Sequence, residues 1–114
     1  MVGERDRATV SDGRDGGALL LARSDRPTAI FAISDALAFG VMSAAAAAGM
    51  RVPDDIAIVG FDNLPWSQHI SPPLTTVDFP VYSLGRGAVH RLLCPEEAVD
   101  AECVPTRLIV RGSA

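Results

Sequence analysis

Residues 27–63 read PTAIFAISDALAFGVMSAAAAAGMRVPDDIAIVGFDN, and this stretch decides the fold. Thr28 to Ile33 is an apolar run too short for a helix, closed by Pro27 on one side and Ser34 on the other, the pattern of a buried strand. Ser34 is placed to accept a backbone N–H at the start of a helix, and Asp35 puts negative charge into the first turn, where the aligned peptide dipoles favour it. The helix is expected to run through Ala48 and stop at Gly49, because glycine enters the left-handed conformation beyond a helix end without a Cβ penalty. Val52-Pro53-Asp54-Asp55 is turn chemistry. Ile56 to Val59 is a second apolar strand, and Gly60-Phe61-Asp62-Asn63 leaves its carboxyl end. Two continuous apolar strands joined by a helix imply a parallel pair with a right-handed crossover.

Parallel α/β sheets take ligands outside the carboxyl ends of their strands. Ser34 and Asp35 stand at one such end and Asp62 and Asn63 at the other, so four small polar side chains line one edge of a crevice. The same residue types cap helices and shape turns, and the local pattern leaves both roles open.

The totals narrow the function classes. A chain of 114 residues buries roughly two thirds of its unfolded surface and forms one domain or part of one. Its hydrophobic content of 48% marks it as globular. A net charge of −4 argues against this segment gripping nucleic acid, which needs a basic face. Every cation is an arginine. Cys94 and Cys103 lack CxxC spacing and read as free thiols, while His69 and His90 follow no ligand pattern, so no metal or other cofactor is expected. The charged amino terminus lacks a secretory apolar core, and the uncharged run from Ala36 to Met50 is too short to span a bilayer. A cytoplasmic, membrane-free protein is expected. No nucleophile, base or metal set converges in the pattern, so no catalytic residues are named and the chain is not read as an enzyme.

Elsewhere the elements are shorter on information. Residues 1–10 hold at most a strand stub near Val2 and a polar loop through Arg5, Asp6 and Arg7, an abrupt opening that suits a fragment. A helix is expected over 13–23, capped by Ser11 or Asp12, with Gly13, Gly16 and Gly17 weakening its first turns by ~1 kcal/mol each. The helix over 35–48 is apolar nearly all round: Leu37, Val41, Ala44, Ala45 and Ala48 form one stripe, and Phe39, Met42 and Ala46 another. Such a helix is buried on two sides, and its second side is expected to meet another subunit rather than a helix of the same chain. Trp66 is expected to pack beneath an irregular, proline-rich loop. Leu74–Val77 is extended, Pro80 opens a helix to Leu93, Cys94–Val104 is an acidic loop, and Thr106–Val110 is a last strand before a tail.

RPTAIFAISDALAFGVMSAAAAAGMRVPDDIAIVGFDN, followed by SPPLTTVDFPVYSLGRGAVHRLL and then PTRLIVRGS, resembles the carboxyl-terminal part of the LacI/GalR family of bacterial transcription repressors, from about Asp6 to Ser113. The resemblance implies an α/β, parallel-sheet, three-layer lobe of the periplasmic-binding-protein-like type I fold, incomplete, with only the second lobe present. On that pattern residues 1–77 are the second-lobe βαβ core, 78–94 a helix returning toward the first lobe, 95–104 a loop, and 105–114 the final strand and tail. The implied role is effector sensing and dimerisation, with a sugar-like small molecule held between lobes and DNA bound only through an amino-terminal head outside this chain. Carried over residue by residue, the resemblance places Asp62 against effector hydroxyls and Ser34 where the family often has an Asn that reaches the ligand. Asp35 matches a family Asp that is more structural than ligand-facing, and it stays with Asn63 among the ligand-binding candidates at the crevice edge. The resemblance puts Ala8 where the family often has a stacking aromatic, and Phe39, Met42 and Ile70 at a homodimer interface. A periplasmic-type sugar-binding transport protein, or a fragment with no function of its own, are the alternatives.

Overall fold

The computed structural model of the chain describes residues 8–97 and 103–114. The expected strand stub near Val2, the polar loop at Arg5, Asp6 and Arg7, and the middle of the acidic loop lie outside them. The elements run α1 (Val10–Leu21), β1 (Ala29–Phe31), α2 (Asp35–Ala47), β2 (Ala57–Phe61), a 3-10 turn (Pro65–Gln68), β3 (Thr75–Asp78), α3 (Val81–Leu93), a second 3-10 turn (Pro95–Glu97) and β4 (Arg107–Ile109).

The strands form one sheet in the order β1-β2-β3-β4. β1 pairs with β2 in parallel, with Ile30 opposite Ile58, and β2 pairs with β3 in parallel, with Gly60 opposite Thr76. β4 joins β3 antiparallel, with Thr76 opposite Ile109, so the sheet is mixed and mostly parallel. Alternation along the strands turns Ile58, Gly60, Leu74 and Thr76 toward α2. On that side Ala38, Ala45, Ile56, Ile58 and Leu74 are fully buried.

α2 is buried on two sides, against the sheet and, along Leu37, Gly40, Val41 and Ala44, against α1 of the same chain. The stripe of Phe39, Met42 and Ala46, expected to meet another subunit, is left half-buried to exposed. Gly13 sits on Leu37, Gly17 on Val41 and Ala44, and Gly40 on Val10 and Arg14. A Cβ at Gly13 would collide with the Leu37 carbonyl, and one at Gly40 with the Val10 carbonyl. The glycines that cost α1 helix propensity are therefore what lets the two helices touch. The pairing also shows that α1 and α2 run in the same direction, with both amino ends at the carboxyl end of the sheet.

α1 starts earlier than expected, at Val10, and its cap is Thr9 rather than Ser11 or Asp12. The Thr9 hydroxyl accepts from the Asp12 N–H (3.2 Å) and the Asp12 carboxylate accepts from the Thr9 N–H (3.0 Å). This reciprocal box satisfies two end donors at once; the Thr9 hydroxyl also donates to the Asp12 carboxylate, and that bond, followed by the one from the Thr9 N–H, holds the Asp12 carboxyl below the usual range.

β1 is less buried than its composition suggests. Phe31 is 59% and Ile33 73% exposed; among the described residues β1 pairs with β2 alone, and the helices cover one face. The opposite face carries Phe31, Val59, Phe61, Val77 and Leu108; Phe61 there meets Phe79, ring centroids 5.6 Å apart. α3 has no buried residue, and Pro80 is its N-cap rather than its first helical residue. Val52–Pro53 and Ser71–Pro72 are cis. The tail after β4 is anchored: Ser113 is fully buried, its hydroxyl donating to the Ile58 carbonyl (2.6 Å) and accepting from the Thr75 N–H (2.8 Å).

Candidate functional site

The site is built where β1 and β2 end and α2 begins. Ser34 has extended backbone and caps α2, its hydroxyl accepting from the Leu37 N–H at 3.2 Å. It remains half-buried, so one lone pair and its proton are left for another partner.

Asp62 follows the last residue of β2. Its N–H still donates to the Val77 carbonyl (3.0 Å), but its φ is +116° and that of Asn63 is +51°. Two successive non-glycine residues at positive φ turn the chain sharply, a conformation that persists only where surrounding contacts hold it. The turn brings the Asp62 carboxyl against the backbone N–H of Asp35, the first residue of α2. Burial raises the Asp62 pKa above the ordinary aspartate value, the charge of Asp35 raises it further, and the hydrogen bond from the Asp35 N–H opposes both. Ser34 and Asp62 thus meet at one helix amino end, and Asp62 is half-buried there.

Asp35 does not face this opening, and its expected contact with a ligand is corrected. Its side chain is fully buried. Oδ2 accepts from the Leu64 N–H (2.8 Å) and from the Ser67 hydroxyl, and Oδ1 accepts from the Thr76 hydroxyl (2.5 Å). A carboxylate wholly buried, with donors from the fold on both oxygens, is turned inward and presents no surface to the opening.

Asn63 is likewise drawn sideways. Its Nδ2 donates to Asp78 (3.1 Å), and its Oδ1 accepts from Arg111 (2.8 Å). Both side-chain groups are engaged by the protein, one by the last residue of β3 and one just beyond β4, which differs from the expected ligand-facing amide. Arg111 also donates to the Leu74 carbonyl (2.8 Å). Ala8 precedes the Thr9 cap of α1 and is exposed. It stands at the same end of the sheet as Ser34 and Asp62, with only a methyl group to present.

Several residues of this neighbourhood carry no local sequence signal: Ser67, Thr76, Asp78 and Arg111. Their partners lie 13 to 48 positions away, too far for local periodicity to pair them. Trp66 does not pack beneath its loop. It is 67% exposed, because Ser67 and the Asp35 carboxylate fill the space under the turn.

On a separate flank, Phe39, Met42, Ser43, Ala46, Ile70 and Ser71 line a groove of roughly 240 Å³. Among the described residues no group of three or more His, Cys, Asp or Glu comes together as a metal set. Among them, too, no helix is long and apolar enough to cross a membrane.

Residues 2–114 match the periplasmic binding protein-like domain. The chain is 45% identical over 73 residues to the HTH-type transcriptional repressor PurR of Photobacterium profundum, covering 64% of this chain and 22% of PurR. It superposes on the lac repressor dimer bound to operator and the anti-inducer ONPF with a TM-score of 0.85 and 32% identity, covering 92% of this chain and 38% of that one. A LacI family transcriptional regulator from Lactobacillus casei with bound sucrose gives a TM-score of 0.77 and 38% identity, covering 93% of this chain and 41% of that one. The chain therefore spans about a fifth of this curated relative's length.

Proposed function

Because the chain belongs to the periplasmic binding protein-like domain family, we propose that it is the effector-sensing and dimerising part of a LacI/GalR-type transcriptional regulator. One observation carries the reading: the Asp62 carboxyl stands at the amino end of α2 beside the Ser34 cap, at the carboxyl end of a mostly parallel sheet. A partly desolvated carboxylate accepts strong hydrogen bonds from hydroxyl groups, and two oxygens suit a vicinal pair such as a sugar or nucleoside presents. Ligand hydroxyls supply the hydrogen bonds that burial has taken from Asp62. The effector class is therefore a small polyhydroxylated molecule.

Such an effector acts by binding one arrangement of two lobes better than the other and shifting the balance between them. Phe39, Met42 and Ile70 line the groove beside α2, and their half-exposed apolar surface suits a homodimer contact. DNA contact belongs to an amino-terminal head outside this chain, in keeping with its net charge of −4. A cytoplasmic location and a role without catalysis follow from that reading.

The binding test is calorimetric titration of sucrose, monosaccharides and nucleosides into the product of the gene's full reading frame. Asp62→Asn is expected to weaken binding about 10- to 100-fold, the range for losing hydrogen bonds to a charged acceptor. Unchanged affinity in that variant would overturn the reading. The 114-residue chain alone, presenting one wall of the cleft, is expected to show no sugar binding by calorimetry. Phe39→Asp is expected to convert the dimer to a monomer on gel filtration, and an unchanged elution volume would put the interface elsewhere.

A further inference from the structure

Resting on the reading of Asp62 as the ligand-facing carboxylate, we infer that Asp35 is its positioning residue: a carboxylate kept wholly inside the fold that fastens segment 62–68 and fixes where Asp62 stands. The three donors to Asp35 come from both sides of that segment's path. Leu64 and Ser67 lie in the segment itself, and Thr76 lies on β3. Thr76 also serves as a relay, accepting from the Asn63 N–H (3.3 Å) while donating to Asp35. Residues 63, 64 and 67 are thus tied to one buried carboxylate, immediately after the positive-φ pair at 62 and 63.

Capping does not account for this arrangement. Ser34 already supplies the cap of α2, and a carboxylate serving only the helix dipole does so from the surface, in water. Burying a charge costs stability unless it is matched by donors. Asp35 is matched on both oxygens, and no described buried side-chain polar atom is without a partner. The seat is also built into the neighbouring strand, since a Cβ at Gly60 would collide with Asp35 Oδ1. A costly buried group, a glycine that makes room for it and two residues at positive φ converge on the segment that carries Asp62.

The test uses the 114-residue chain and needs no ligand. NMR scalar couplings and Cα shifts report φ at residues 62 and 63, and the Asp62 carboxyl carbon reports its titration. Asp35→Asn turns one acceptor oxygen into a donor facing other donors. It is expected to shift the couplings at 62 and 63 toward averaged values and to lower the Asp62 pKa. Ser67→Ala keeps the charge of Asp35 but removes one tie, and is expected to shift the couplings with a smaller change in titration. A role in stability alone lowers the melting temperature of both variants and leaves residues 62 and 63 unmoved, which overturns the inference. A fall in the Asp62 pKa with unchanged couplings overturns it too, because charge rather than position would then be the link. If Asp35→Asn fails to fold, the Ser67→Ala couplings decide alone. Failure here leaves the effector reading standing, since that reading falls only with the Asp62→Asn titration.

Discussion

α2 and α3 are both 13 residues long, and both carry glycine within the helix, yet they stand in opposite circumstances. α2 is wedged between α1 and β2, with six buried residues and a side-chain cap. α3 has no buried residue and no side-chain cap; Val81, Tyr82, Val89 and Leu92 are 55–84% exposed. α3 nonetheless has the cleaner two-faced pattern, whereas α2 is apolar nearly all round. Amphipathic pattern reports which side of a helix favours burial. It does not report what covers that side. In α2 the answer lies in close contacts at glycine and alanine; in α3 the described residues supply none.

Glycine makes the comparison breakable, because one substitution has opposite signs in the two helices. Gly40→Ala improves helix propensity, yet its methyl would meet backbone atoms of Val10, Gly13 and Arg14 on α1. Backbone cannot yield as a side-chain tip can, so a net loss of ~3 kcal/mol is expected, the upper end of overpacking costs. Denaturant unfolding at unchanged m-value reads it. Ser113→Ala comes next. Its hydroxyl joins Ile58 to Thr75 across a fully buried position, and losing it strands the Thr75 N–H, at ~1–3 kcal/mol. A loss below ~0.5 kcal/mol would mean that water replaces it.

Gly85→Ala in α3 is the counterpart. Nothing lies within 4 Å of a Cβ there, so the helix should gain ~1 kcal/mol of local stability. Slower amide exchange across α3, with the core's melting unchanged, is the expected signature. A shift of the core transition by the same amount would show that α3 unfolds together with the sheet.

The legible part of the molecule was local. Apolar runs at Ala29–Phe31 and Ala57–Phe61, the Ser34 cap and the Gly49 stop are written in a few adjacent residues. Their order implied the parallel pair and the crevice edge holding Ser34 and Asp62. What escaped depends on contacts far apart in the chain. Asp35 looks like any first-turn acid until Ser67 and Thr76, 32 and 41 positions on, are seen to enclose it. Asn63 looks like a ligand until Arg111 and Asp78 occupy its amide. Gly13, Gly17 and Gly40 read as weaknesses because helix propensity is a one-helix quantity, whereas their value lies between two helices. Thr9 gives a weak cap signal because its box partner is Asp12, shorter than the usual Glu or Gln.

The smallest expected effect sits at the amino end of α2, where stability and function oppose each other. Burial and the Asp35 charge raise the Asp62 pKa in the folded chain, so the fold favours the protonated form. Stability linked to that proton is fully present below the unfolded value of ~3.9 and is lost as pH rises through the raised folded pKa. At neutral pH an ionised Asp62 therefore works against the fold, weakly, because much of the group stays solvated and screened. Asn tolerates positive φ and carries no charge, so Asp62→Asn should melt slightly above the parent at neutral pH. The gap should close on acidification and vanish below ~3.9. A gap that held constant with pH would assign the effect to backbone preference instead of charge. A closing gap, together with lost effector binding, would mark Asp62 as a group whose ionised form costs stability and serves binding; α3, with no acid in its first turn, offers no such site.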